Sequence, residues 1–257
     1  MPAEPLLALS GVTKAFGGLT VVQDVGFDLP RGGRLGLIGP NGAGKTTVFN
    51  LISGVYPIDA GEIRLDGQPI SRLPPRARVR AGIARSFQNI RLMPHLSAVE
   101  NVMLGQHARA AGLGALLTPI AWMPRGRWRR EAEELLAAAG LDIDPGEVVA
   151  NLPYGIRKKI EVVRALAARP KLLMLDEPAA GLNPAETAEL ARFLREIAAA
   201  GTTLLVVEHD MGFVNEVCDR VVVLNFGRKI FEGSMAGARA DTTVREAYLG
   251  AEAADAA

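Results

Sequence analysis

The chain has 257 residues, 49% of them apolar and 22% charged, which supplies a sizeable core and excludes a disordered or collagen-like chain. Lys plus Arg total 29 against 28 Asp plus Glu, a formal net charge of +1, so binding to nucleic acid through a global basic field is excluded. The longest uncharged run, residues 110–124, contains Gly112, Gly114 and Pro119 and is too short for a membrane span of roughly 18–20 apolar residues.

At the N-terminus, MPAEPLLALS carries Glu4 and no basic segment before an apolar run, so no secretory signal is expected. Leu6–Val12 and Val21–Leu29 read as strands joined at Gly17-Gly18. A short apolar strand, Leu35–Ile38, follows, then a glycine-rich turn and a helix over Thr46–Ser53. Gly61–Leu65 ends in a second hairpin signal, Asp66-Gly67. Between Leu92 and Asn151 the composition shifts: Gln106–Trp122 is rich in Ala, Gly and Leu, Arg125–Arg130 is basic, and Glu131–Ala139 has helical periodicity. A helix over Lys158–Ala168 and a strand over Leu172–Leu175 come next. Pro184–Ala199 reads as a helix with Asn183 as N-cap and Gly201 beyond its end. Leu204–Val207 is another buried strand, and the tail AEAADAA reads as frayed. The single cysteine, Cys218, can form neither an internal disulfide nor a zinc cluster and fits a reducing cytoplasm. The pattern predicts one α/β domain over residues 1–250, with a mainly parallel core sheet and an antiparallel β portion near the N-terminus. Its core covers 1–91 and 152–250, a helical subdomain is inserted at about 92–151, and 251–257 form a flexible tail.

The strongest chemical signal is Gly39-Pro40-Asn41-Gly42-Ala43-Gly44-Lys45-Thr46, placed between a strand and a helix. Glycines let successive backbone N–H groups turn inward around phosphate oxygens, and the helix N-terminus adds a favourable dipole. Lys45 is expected to reach the β and γ phosphates, Thr46 to ligate Mg²⁺, and Thr47 to complete the phosphate-binding set. The apolar strand ending in Asp176-Glu177 delivers one carboxylate toward nucleotide-bound Mg²⁺ and a second that can activate water. The alternative is a helix-capping pair before Pro178. His209 lies just past Leu204–Glu208, at the strand edge where an open α/β sheet gathers its ligand, and could hydrogen-bond a γ phosphate. His95 and His107 have no such context.

Taken together, the phosphate loop, the strand ending in Asp-Glu and the histidine after a strand resemble the ATP-binding subunits of ABC transporters over nearly the whole chain, a P-loop nucleotide-hydrolase cassette fold. The resemblance implies that Phe16 stacks on adenine and that Gln88 senses Mg²⁺ and links the core to the helical subdomain. It implies that Leu152, Pro153, Tyr154 and Gly155 take the place of the signature segment, which completes a partner's site. Gly181, Leu182 and Asn183 correspond to the loop that crosses to the opposing subunit. Two positions depart from the family pattern. Pro153 stands where a serine hydroxyl normally reaches the partner's γ phosphate, and Asn183 replaces an aspartate.

Phe16-Gly17-Gly18-Leu19, the long stretch from Gln88 to Leu152, Val207-Glu208-His209-Asp210-Met211 and Glu246-Ala247-Tyr248-Leu249-Gly250 resemble the larger ATP-binding subunit of branched-chain amino acid importers. A lipopolysaccharide-export ATPase and a soluble small-molecule kinase are the alternatives, and a DNA-repair or translation ATPase lacks support because the chain has one phosphate loop and no heptad arm. The resemblance implies ATP and Mg²⁺, transmembrane permease subunits, a second cassette (a paralogue or a second copy), indirectly a solute-binding protein, and a peripheral place on the cytoplasmic face of the inner membrane. The insert 105–130, with Trp122, Trp128 and several arginines, is expected either to face the membrane or permease or to form a surface hairpin.

Overall fold

The computed structural model describes residues 4–86, 90–107 and 125–255. The elements in chain order are β1 (Leu7–Phe16), β2 (Leu19–Leu29), β3 (Arg34–Ile38), α1 (Lys45–Ser53), β4 (Ala60–Leu65), β5 (Gln68–Pro69), α2 (Pro75–Ala81) and β6 (Ile83–Arg85). They continue with α3 (Ala98–Gln106), α4 (Arg125–Ala138), a 3₁₀ turn (Val149–Asn151), α5 (Tyr154–Leu166), β7 (Leu172–Asp176), α6 (Pro184–Ala199) and β8 (Thr203–Val207). The chain closes with α7 (Met211–Val217), β9 (Arg220–Asn225), β10 (Arg228–Gly233), α8 (Met235–Ala240) and α9 (Thr242–Asp255).

Two sheets form. One is antiparallel, in the order β2-β1-β4-β5, and the other has the order β10-β9-β3-β8-β7-β6, with every pair parallel except β10 on β9. The short all-apolar strands are accounted for by burial on both faces. Along β7, Leu172 and Met174 pack against the core shared with α1 and the antiparallel sheet, whereas Leu173 and Leu175 pack into the helical core opposite. β8 divides in the same way, Leu205 and Val207 on one side and Leu204 and Val206 on the other. The first strand runs on past the predicted Val12 to Phe16, and the Asp66-Gly67 turn has the two positive φ angles, 52° and 72°, that a tight hairpin of the primed type requires.

In the helical layer, α3 starts with a capping box between Ser97 and Glu100. It crosses α5 so closely that a Cβ on Gly105 would lie 1.9 Å from the Arg164 carbonyl oxygen. Asn101, fully buried, spends its amide on the carbonyls of Met93 and Ser97 and accepts from the Met93 N–H. The helical packing continues past Asn151, because α5 joins it. Trp128, from the basic stretch of the insert, packs against this core and meets His107 edge-on, with ring centroids 6.0 Å apart. Trp122 and Gln88 lie outside the described residues. Helix α9 carries the backbone through residue 255, into the segment read as the tail. Among the described residues, no helix is long and apolar enough to cross a membrane.

A buried arginine holds the far end of α1. Arg78 is 2% exposed, and its guanidinium donates to the carbonyls of Ile52 (2.8 Å), Ser71 (2.9 Å) and Leu73 (2.9 Å), and to that of Leu51. Helix C-terminal carbonyls otherwise lack donors, and a cation there also complements the helix dipole. Replacing Arg78→Met leaves these acceptors buried and unpaired. The expected loss of stability is about 3 kcal/mol, read from urea unfolding with an unchanged m-value. A loss below about 1 kcal/mol would mean the guanidinium contributes little beyond filling space.

Candidate functional site

The site begins at the end of β3. Gly39 has φ 149°, and a Cβ there would lie 2.2 Å from the Leu224 carbonyl oxygen, so no other residue fits between the strand and β9. The loop then closes through Ala43 N–H to Pro40 O (3.2 Å) and is pinned by Gly227 N–H to Ala43 O (3.0 Å). Gly44 caps α1 in the left-handed conformation with no side-chain bond to the helix, and the first turn has no acidic residue. An uncapped N-terminus of this kind presents free N–H groups and a positive dipole end, which suits a phosphate chain.

Lys45 opens the helix and folds back over the loop, donating to Gly39 O (2.6 Å) and Pro40 O (2.9 Å). Burial lowers its pKa, and the Glu177 charge opposes that shift, so the ammonium and the Glu177 carboxylate face one site. Thr46 is exposed in the first turn and Thr47 half-buried beside it. Asn41 and Gly42 are exposed at the loop tip, and Pro40 and Ala43 are buried beneath it.

Strand register brings the other residues in. β8 lies between β3 and β7, with Val207 opposite Leu37 on one side and Asp176 on the other. Asp176 ends β7 with only 6% of its surface exposed, and its Oδ2 accepts from Arg85 at 2.7 Å. Glu177 steps off the strand in the left-handed region, φ 48°, while its N–H bonds Val207 O at 2.9 Å. That strained backbone turns Glu177 away from the path a continuing strand would take. His209 follows two residues after Val207, with 70% of its side chain exposed and Nδ1 3.7 Å from Glu208 Oε2. Phe16, 40% exposed at the end of β1, meets Tyr56 edge-on at 5.1 Å.

Two residues that sequence reasoning missed lie under these groups. Glu208 is 1% exposed and accepts from the N–H groups of Ala179 (2.8 Å) and His209 (3.1 Å), which ties the histidine to the segment after Glu177. Burial raises its pKa, and these N–H donors pull the other way. Lys158, also buried, has its pKa lowered by desolvation, opposed chiefly by Glu161 and then by Glu208, Glu177 and Asp176, and it reaches Glu177 O at 3.4 Å. The sequence carries a signal for Glu208 alone, a carboxylate directly after the unbroken apolar run Leu204–Val207; Lys158 sits among Arg157, Lys159 and Glu161 and stands out from none of them.

The segments expected to complete a partner's site and to cross to it meet within the chain. Leu152 precedes α5, Pro153 is its N-cap with no side-chain bond to the helix, and Tyr154 is its first residue. Tyr154 Oη lies 3.3 Å from Ala180 O, and its ring covers Gly181. Glu186 sits over Gly155 and closes a capping box with Asn183 at the start of α6, with Leu182 between. The replacement at position 183 therefore keeps a side chain that can cap the helix, as aspartate does.

The donor set fits a divalent cation bound together with a phosphate chain. A hydroxyl on the first helical turn and one carboxylate are hard oxygen donors, too few alone for Mg²⁺ and appropriate when phosphate oxygens and water supply the rest. No cluster of three or more His, Cys, Asp or Glu suited to a metal exists among the described residues.

Comparison with known proteins agrees with this geometry. The ABC transporter family model matches residues 22–180, and the model for branched-chain amino acid ATP-binding cassette transporters matches 228–254. The high-affinity branched-chain amino acid transport ATP-binding protein BraF of Pseudomonas aeruginosa is 38% identical over 96% of this chain and 99% of its own. LivG of Escherichia coli K12, of the same description, is 39% identical over the same shares. The ADP conformation of MJ1267, an ATP-binding cassette of an ABC transporter, superposes with a TM-score of 0.85 at 27% identity, covering 96% of this chain and 100% of that one. The dimeric structure of the cassette MJ0796 gives 0.77 at 25% identity, covering 89% and 98%. These relatives favour an importer over the lipopolysaccharide-export or kinase alternatives.

Glu208→Gln tests the support under His209. A carboxamide cannot accept both N–H bonds without turning its own NH₂ toward one donor. ATP hydrolysis is expected to fall more than about tenfold while nucleotide affinity stays within about twofold. Unchanged turnover would show that the histidine is positioned without this carboxylate.

Proposed function

The chain belongs to the ABC transporter family of ATP-binding cassettes, and from that premise we propose that it hydrolyses ATP to drive an importer of branched-chain amino acids. The observation carrying the chemistry is the alignment of the phosphate loop, Asp176, Glu177 and His209 at the ends of three adjacent parallel strands. The cargo rests on the relatives named above and on the C-terminal match.

In this reading Mg²⁺, when bound, supplies concentrated positive charge to the phosphate oxygens. The loop from Gly39 to Thr46 cradles the phosphates through its backbone N–H groups other than that of Pro40, which has none, with Thr47 beside them. Lys45 exchanges its two loop carbonyls for β and γ phosphate oxygens, which offer a charged acceptor in place of neutral ones. Thr46 and Asp176 hold the metal side, and Gln88 contributes to it. Glu177 orients and deprotonates the attacking water, and His209 hydrogen-bonds the γ phosphate. Phe16 gives up its edge contact with Tyr56 to stack on adenine.

The cassette works with transmembrane permease subunits and with a second cassette, peripheral to the membrane on its cytoplasmic face, and a solute-binding protein delivers cargo to the permease. Leu152, Pro153, Tyr154 and Gly155 complete the partner's nucleotide site, and Gly181, Leu182 and Asn183 lie along the crossing. Because Pro153 lacks a hydroxyl donor, the site that this segment completes is weaker, so the physiological partner is a paralogue with its own intact signature.

Light scattering after size exclusion tests both parts. Glu177→Gln with Mg²⁺-ATP is expected to bind nucleotide and remain monomeric, whereas Pro153→Ser in the same background shifts to a dimer. Dimerisation of Glu177→Gln alone would overturn the paralogue requirement, and absence of ATP binding would overturn the ATPase reading.

A further inference from the structure

Arg85 has no place in the chemistry assigned so far, yet it makes a close charged contact in the site. It ends β6, opposite Met174 of β7, and its Nη2 donates to Asp176 Oδ2 at 2.7 Å, with the two side chains 12% and 8% exposed. Nη1 donates to Asn50 Oδ1 (2.6 Å) and Ser53 Oγ (3.2 Å), both on α1, and the guanidinium lies 5.3 Å from the Phe49 ring centroid. These contacts fix the cation from one side by the phosphate helix and from the other by the strand that carries the carboxylates. A planar guanidinium held at several points is far less free to swing away than a lysine would be.

We propose that Arg85 is a positioning residue that acts as a resident counter-charge to Asp176, so that the site grips a divalent cation firmly only while a triphosphate is present. The proposal rests on the reading of Asp176 as the metal-side carboxylate. Two physical facts lead to it. A carboxylate with one oxygen already engaged by a guanidinium has less negative charge to offer, and like charges a few ångströms apart in a poorly solvated site repel strongly. Arg85 therefore weakens cation binding by a fixed amount. A triphosphate outweighs that repulsion more readily than a diphosphate, which carries less negative charge. The consequence is that Arg85 favours release of the diphosphate product and its metal after each turnover, while leaving the triphosphate complex intact.

The position also shows that the cation is not merely filling space. An arginine that only packed the strand would not need two acceptors on α1 in addition to Asp176. Anchored this way, it engages Oδ2 and holds Asp176 turned so that the other oxygen is offered to the metal side, directly or through water.

The test is the affinity for ADP, measured by displacement of a fluorescent ADP analogue, in Mg²⁺ and in EDTA. Arg85→Gln is expected to enlarge the Mg²⁺-dependent gain in ADP affinity about tenfold over the wild-type chain, with affinity in EDTA within about twofold. Arg85→Lys, which keeps the charge but not the fork that anchors it, should fall between the wild type and Arg85→Gln. Asn50→Asp offers Arg85 a competing carboxylate without deleting it, and should shift the Mg²⁺ gain in the same direction by about threefold even if Arg85→Gln folds poorly. A Mg²⁺ gain in both Arg85→Gln and Asn50→Asp that equals or falls below the wild-type value would overturn the proposal. Asp176→Asn separates the two levels: if it keeps the full Mg²⁺ gain, the metal-side reading of Asp176 fails, and if it loses that gain while Arg85→Gln is unchanged, only the role of Arg85 fails.

Discussion

The parallel register of three strands is the constraint from which the rest of the molecule follows. Val207 sits opposite both Leu37 and Asp176, so the phosphate loop, the two carboxylates and His209 emerge from one edge of one sheet. Parallel strands need crossovers, and the crossovers supply helices to both faces, one of which the antiparallel sheet also covers. That burial is why the strands are short and apolar, and why the polar residues come immediately after them.

Charges buried beneath that edge hold it in place. Glu208 joins the His209 and Ala179 backbones, Lys158 lies beneath the carboxylate pair, Arg85 links Asp176 to α1, and Arg78 anchors the end of the same helix. A buried ion without partners is strongly destabilising, whereas one held by hydrogen bonds to several elements fixes geometry. These residues therefore do for the site what an apolar core cannot, which is to set the direction of neighbouring polar groups.

Much of this is legible in the sequence, for identifiable reasons. The phosphate loop, β3, β7 and β8 announce themselves because glycines at that spacing, and short unbroken apolar runs bounded by turn or charge signals, are compatible with few local structures. Helix α6 matches its predicted Pro184–Ala199 span because both of its ends carry local signals. The C-terminal strands and helices were not read, since Arg220–Asn225 and Arg228–Gly233 acquire their meaning only through pairing with distant strands. Arg78, Arg85, Lys158 and Glu208 were missed for a related reason. Each looks like an ordinary surface charge until tertiary packing encloses it. Trp128 shows the converse, an aromatic in a basic stretch that turns inward to the helical core.

The central claim is that Asp176 and Glu177, adjacent in sequence, do different work because the backbone turns between them. The most direct measurement is made on the complex assembled with the permease and second cassette: ATP affinity with and without Mg²⁺, and single-turnover cleavage, for Asp176→Asn and Glu177→Gln. Division of labour predicts that Asp176→Asn loses the Mg²⁺ contribution to binding, while Glu177→Gln binds Mg²⁺-ATP normally and cleaves it more than about a hundredfold more slowly. Equal losses of Mg²⁺-dependent binding in both variants would contradict it.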